Sequence, residues 1–399
     1  MNKNSIYLKV IVGALLFIGL ILIASVGVPK SIDLTRPQGV IYPTCETAGV
    51  DCYLLFKKHL SRVIIGVIAF IMSAKLGLRF WKKITPLYFS VSLILLIVVL
   101  LLGSSYTTFA TSWIVVFNSS LQPTELAKLA MILYLASWFA SKGNQIQDFY
   151  KGFVNFCVLS GFMIIPLVLQ PDLGSTMVLT SICVGMYFYA GALKKHLMTG
   201  FLGALLALMI IVPMNDYLKY RFLAYLNPSI ENCQVDDSGN RKDYCWQTEQ
   251  ANIAVATGGF FGKGLTKGIQ KSYWLPQSSD DFIFAASSEE LGFLRSSIIV
   301  ILFFALSVIG FDIVSKTQDK FAKFTAVGIT LWLTGQAFIN ICVNIGLLPV
   351  TGITLPFISY GGSSLLATCA AAGILLSISK SNPYDSSFVR RRNRRSRSA

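Results

Sequence analysis

Apolar residues run along this chain in long unbroken stretches instead of alternating with polar ones. A membrane core of about 30 Å takes roughly 20 apolar residues in helical form. About ten stretches approach that length, near 10–28, 61–78, 85–103, 123–140, 152–170, 174–192, 199–215, 284–311, 325–347 and 362–379. Runs such as Val91 to Leu102 lack the two-residue alternation of a barrel strand, so the pattern predicts helices. The expected fold class is an all-α polytopic membrane protein of about ten transmembrane helices. One large extracytoplasmic loop, about 218–283, is expected between the seventh and eighth spans. The domain reading is one integral membrane domain over 1–385 and a disordered, Arg/Ser-rich tail over 386–399.

Composition agrees. The 399 residues are 54% hydrophobic and 13% charged, about half the roughly 25% of a soluble domain. The balance of 34 basic against 19 acidic residues gives +15, and position decides what that excess means. Lys3 and Lys9 precede a first apolar run too long for a cleaved signal, which sets the N-terminus in the cytoplasm. Alternating sides from there places Arg79, Lys82, Lys83, Lys142, Lys151, Lys194, Lys195, Lys316, Lys320, Lys323 and the tail arginines inside. Both termini are then cytoplasmic, and the excess reads as membrane topology, with no nucleic-acid partner. The outer segment 29–60 conflicts mildly with this rule, because it carries Lys30, Arg36, Lys57 and Lys58. The large loop also carries basic residues, but the rule has little force over long loops.

Cys45 and Cys52 share the first outer loop, and Cys233 and Cys245 share the large one. An oxidising compartment favours disulfides Cys45–Cys52 and Cys233–Cys245, although four loop cysteines allow three pairings. Cys157, Cys183, Cys342 and Cys369 fall in spans and read as small buried hydrophobes. No histidine accompanies the cysteines with zinc-like spacing.

Charge inside a span is expensive, so each instance is a candidate site. In the run Gln122-Pro123-Thr124-Glu125-Leu126-Ala127-Lys128, Glu125 and Lys128 lie three apart and share a helix face. They either pin the start of that helix or line a polar cavity for a substrate. Gln170-Pro171-Asp172-Leu173-Gly174 reads as a structural turn, with Asp172 capping the next helix.

The large loop opens with Lys219 and Arg221, and Trp246 to Ala251, with Gln250, starts a short amphipathic stretch. Thr257-Gly258-Gly259-Phe260-Phe261-Gly262-Lys263-Gly264 fits neither a Walker P-loop nor a dinucleotide fingerprint. Its glycines let backbone lie flat against a headgroup or another helix. Lys267 follows. In Gln277-Ser278-Ser279-Asp280-Asp281-Phe282 two carboxylates precede an apolar helix, with Glu289 and Glu290 further along. They either cap that helix or supply a carboxylate base at the membrane boundary, where partial desolvation raises a pKa. Leu355 to Ser364 joins the last two spans. Its Pro, Gly and hydroxyl residues, Ser359, Gly361, Gly362 and Ser363 among them, imply non-helical backbone lining a protected cavity suited to a phosphate.

Six runs carry a resemblance: Gln122–Lys128 (QPTELAK), Gln170–Gly174 (QPDLG), Gly258–Gly264 (GGFFGKG), Asp281–Ala285 (DFIFA), Glu289–Gly292 (EELG) and Leu348–Ser364 (LPVTGITLPFISYGGSS). In this order they are similar to the SEDS family of shape, elongation, division and sporulation proteins, which includes FtsW, RodA and SpoVE. The likeness spans roughly 10–380, and the wording of Thr354–Ser364 is closest to the division branch, FtsW. The family's common E-x-H-T-D form reads Gln277-Ser278-Ser279-Asp280-Asp281 here, so its His is absent and Asp281 takes the place of the family's essential Asp.

The resemblance implies a peptidoglycan glycosyltransferase of the bacterial inner membrane, acting in septal cell-wall synthesis. Its substrate would be lipid II, a disaccharide-pentapeptide on undecaprenyl diphosphate. Asp281 is then the base toward the acceptor hydroxyl. Glu125, Lys128, Arg221, Gln250, Lys263, Lys267, Ser359, Gly361, Gly362 and Ser363 are the candidate residues for the diphosphate and its cavity. A divalent cation, Mg or Mn, is implied without any ligand set evident in the sequence. The implied partners are a class B penicillin-binding transpeptidase and other division membrane proteins. A lipid II flippase and a non-catalytic division scaffold are the alternatives. A carboxylate at the outer boundary favours the enzyme, since a flippase keeps its polar site near the midplane.

Overall fold

The computed structural model describes residues 3–102, 114–116, 119–214, 216–226 and 243–380. Helices stand at all ten expected positions: α1 (Lys3–Val26), then, after the short α2 (Val28–Thr35), α3 (Leu54–Lys75), α4 (Leu78–Leu102), α5 (Pro123–Lys142), α6 (Asn155–Leu169), α7 (Leu173–Tyr189) and α8 (Lys194–Met214). The short α9 (Asp216–Leu226) and α10 (Asp243–Gly258) lie in the large loop, followed by α11 (Ile283–Lys316), α12 (Lys320–Asn344) and α13 (Gly362–Lys380). A π-helical stretch, Phe149–Val154, leads into α6. Among the described residues, seven helices are long and apolar enough to cross a membrane: α1, α4, α6 with its π-helical lead, α8, α11, α12 and α13. α7 is a shorter apolar helix. α3 and α5 carry charges and fall outside that set. A three-residue antiparallel hairpin, β1 (Ile114–Val116) with β2 (Ser119–Leu121), is the one strand pairing among the described residues. The basic tail 386–399 lies outside the described residues.

α12 is the hub. It packs against α5, α7, α10, α11 and α13, and its Trp332 is fully buried. α13 lies along α3, where Gly373 lets the helices close, since a Cβ there would stand 2.4 Å from the Phe70 carbonyl oxygen. Without a hydrophobic drive between helices in lipid, this small-residue approach is how they associate. α8 is the opposite case. It packs against α9, and its apolar side chains stand exposed over most of its length.

A second, smaller core forms beyond the main one. Val26, Ala251, Ala254, Leu275, Phe282, Ala285, Ala286, Val343 and Val350 pack together from α1, α10, α11, α12 and the loops. This cap carries the 276–282 segment. Cys45 and Cys52 are joined by a disulfide. Cys245 is disulfide-bonded as well, and Cys233 lies outside the described residues. Of the span cysteines, Cys183, Cys342 and Cys369 are buried and Cys157 is exposed.

Candidate functional site

The glycine-rich run and the EELG run interlock. Gly292 has φ +73 and ψ 176 inside α11, which breaks the helix there and frees backbone groups. Those groups are satisfied by 259–264: Phe293 N–H donates to the Gly259 carbonyl, and Lys263 and Gly264 N–H donate to the Glu289 and Glu290 carbonyls, at 2.9–3.0 Å. The glycines therefore lie against a helix. Glu289 accepts from Lys263 Nζ at 2.7 Å and from the N–H groups of Ile269 and Gln270. Glu290 accepts from Lys271 Nζ at 2.5 Å and Ser25 Oγ at 2.6 Å. Both carboxylates are wholly buried. Buried charge is tolerated when paired and fully hydrogen-bonded, so this cluster fastens the 259–275 loop to the ends of α1 and α11. Lys263 is committed to it, while Lys267 stands exposed on the same loop.

Glu125 and Lys128 pair at 2.7 Å in the core, and Lys128 also donates to Gln336 Oε1 at 2.7 Å. Glu125 Oε2 is buried without a hydrogen-bond partner. Gln336 in turn donates to the Thr354 carbonyl at 2.9 Å. The ion pair thus reaches the 348–361 loop through α12.

That loop and α12 together hold the paired aspartates. Ser359 Oγ donates to the Asp280 carbonyl at 2.6 Å and accepts from Leu355 N–H at 2.8 Å. Tyr360 N–H donates to the Ser279 carbonyl at 3.1 Å. Asn340 and Asn344 both donate to the Asp281 carbonyl at 2.9 Å, and Asn344 Oδ1 accepts from Ala285 N–H. Neither aspartate caps α11, whose N-cap is Phe282 with no side-chain cap bond. Asp280 pairs with Lys30 Nζ at 2.6 Å, and Asp281 stands half-buried beside it. Burial raises Asp281 to about 7. Asp280 adds to the rise, Arg221 and Lys30 oppose it, and Asp172 adds a smaller upward push.

Arg221 is the predicted cation whose charge acts on Asp281. It is buried and donates to the Val350 carbonyl at 3.0 Å, while Tyr225 OH donates to the Leu347 carbonyl, so α9 is tied to the same loop. Asp172 caps α7, accepting from Ser175 N–H at 2.9 Å, and its Oδ2 is buried without a hydrogen-bond partner. Ser363 is buried and accepts from Gln122 N–H. Gly361 and Gly362 are half-buried at the start of α13, and Gln250 is buried in α10. Among the described residues no three His, Cys, Asp or Glu side chains converge, so those residues alone do not form a metal cage.

Gln336, Asn340 and Asn344 escaped the sequence reading, as did Lys30 in this role. The signal for the amides was available: polar residues at i, i+4 and i+8 of an apolar span mark one face.

Fold and site define a class: multi-pass helical membrane proteins with a carboxylate-centred polar site where their helices end. The signature of the cell cycle protein family (FtsW, RodA, SpoVE) matches residues 6–384. The chain belongs to this family. It is 39% identical over 337 residues to stage V sporulation protein E of Bacillus subtilis, covering 84% of this chain and 89% of that protein. It is 36% identical over 331 residues to a probable peptidoglycan glycosyltransferase FtsW of Geobacter metallireducens, covering 82% and 86%. Its fold is similar to that of a chain in a peptidoglycan synthase complex that coordinates polymerization and crosslinking, with TM-score 0.73, 25% identity and coverage of 95% and 98%. RodA of Thermus thermophilus shares the fold at TM-score 0.65 and 23% identity, covering 95% and 97%.

Proposed function

We propose that this protein polymerises lipid II into glycan strands at the outer face of the bacterial inner membrane, in septal wall synthesis. The observation that carries the proposal is Asp281. It is a half-buried carboxylate raised to about 7, with a buried guanidinium acting on it. A base works best with a pKa near the operating pH. Asp281 takes the proton of the acceptor sugar hydroxyl as that oxygen attacks the donor's anomeric carbon. The anomeric C–O bond breaks and undecaprenyl diphosphate leaves with the bonding electrons. Arg221 supplies positive charge where the leaving diphosphate gathers its own, the electrostatic part of such catalysis. Asn340, Asn344 and Ser359 hold the backbone of the aspartate pair in place. The divalent cation implied by the resemblance would arrive with the diphosphate, since Mg is commonly bound through substrate phosphates.

The relatives' names and the synthase-complex likeness support glycosyl transfer. They also support a crosslinking partner, proposed to be a class B penicillin-binding transpeptidase alongside other division proteins. Purified protein given fluorescently labelled lipid II should form glycan polymer and release undecaprenyl diphosphate, and Asp281→Asn should lower the rate of both by about 10²–10⁴. Movement of lipid II across vesicle membranes without polymer would instead establish a flippase.

A further inference from the structure

We infer that Lys30, on the loop after the first span, is a binding residue of the Asp281 site that moves from Asp280 to the diphosphate of an incoming lipid donor. The inference rests on the proposed glycosyl transfer for the identity of that donor.

Lys30 belongs to α2, far from Asp280 in sequence, yet its Nζ lies 2.6 Å from Asp280 Oδ2. The placement is built. Pro29 lies in the first turn of α2, Ser31 Oγ accepts from Leu55 N–H at 3.1 Å, and Thr35 Oγ1 accepts from Asp51 N–H at 3.0 Å. The Cys45–Cys52 disulfide and the Asp51–Lys57 pair close the remainder of the loop. The acidic partner is fixed just as firmly through its backbone, by Ser359. Lys30 is also one of the charges that act on both Asp281 and Tyr360, so it stands where the aspartate pair meets the last loop.

The pair is weakly held. The Lys30 side chain is 42% exposed and that of Asp280 20%. An ion pair open to solvent on its lysine side is a weak tie, so a diphosphate with more charge and more acceptor oxygens can displace the carboxylate. Most neighbouring cations are held in place. Lys263 and Lys271 hold buried glutamates, Lys128 is in the core, and Arg221, which faces the diphosphate in the proposed transfer, is fixed by its bond to the Val350 carbonyl, while Lys267 is exposed on the 259–275 loop. Lys30 pairs the reach of a flexible stem with an exposed head, which suits a ligand that comes and goes. Asp280 holds the ammonium in register between donors.

The test is binding of undecaprenyl diphosphate to the full-length protein in detergent, read by tryptophan fluorescence, together with the KM for lipid II. Lys30→Met should weaken diphosphate binding and raise KM about tenfold, the size of one charge-assisted contact, and Lys30→Arg should restore both. Asp280→Asn should bind at least as tightly as the wild type, because it releases Lys30. A purely structural clamp predicts equal damage from Lys30→Met and Asp280→Asn, and that result overturns the inference, as does a wild type that fails to bind the lipid. If Lys30→Met does not fold, Asp280→Asn still decides by its sign. A wild type that binds through Lys30 yet makes no polymer sinks the glycosyltransferase proposal and leaves this inference standing.

Discussion

At the residue scale Asp281 sets the pH behaviour. Its pKa is raised to about 7 chiefly by burial, and a base acts only when deprotonated. Polymerisation should therefore rise as pH increases through about 7 and level off above it. A pH profile of initial rates on labelled lipid II checks this, and a rate falling over that range would give Asp281 a different role. Asp281→Asn should lower the rate by about 10²–10⁴, the usual contribution of a positioned base. Asn340→Leu should lower kcat with little change in KM, because Asn340 holds the Asp281 backbone and Asn344 remains to hold it in part. Asp281 was legible in the sequence as a carboxylate before an apolar helix. Its supports were less so. A single Asn in a span says nothing about which carbonyl it will meet, and that choice depends on how α12 packs against the 276–282 turn.

At the scale of elements, the GGFFGKG and EELG runs make one interlocked unit. The sequence offered glycines that let backbone lie flat and left open what it lies on. The partner is α11, because its break at Gly292 frees backbone groups that the 259–264 backbone satisfies at close range. Gly262 has φ +81, and a Cβ there would stand 2.3 Å from the Glu290 carbonyl oxygen. Gly262→Ala should disrupt the unit from both strain and clash. Glu290→Ala should be as damaging, since it strands Lys271 without its buried partner, and breaking such a pair removes about 3–5 kcal/mol. Both variants should lower the thermal midpoint in detergent and open 259–275 to protease. Full stability in either would show that the loop is held from elsewhere. The lysine of this motif, an expected diphosphate ligand by its charge, is held by Glu289. Long-range pairing of this kind leaves no trace in local spacing.

At the scale of the molecule, two independent features predict its orientation in the membrane. The disulfide loop, the 259–275 loop and Asp281 gather at the end where α1 finishes and α11 begins. Disulfides persist on the oxidising side, which predicts that this face is the outer one. The opposite end carries the charge: Lys142 ends α5, Lys194 starts α8, Lys316 ends α11 and Lys320 starts α12. Basic residues favour the cytoplasmic side, so oxidation and charge agree. Lys30 and Lys57, which break the rule on sequence alone, are accounted for by their pairs with Asp280 and Asp51. In a Cys157→Ser background, a membrane-impermeant maleimide should label Lys267→Cys in intact cells and leave Gln147→Cys unlabelled until the membrane is opened. Both positions are exposed, at opposite ends of the bundle. The reverse pattern would put the carboxylate site in the cytoplasm, on the wrong side for building a wall outside the membrane.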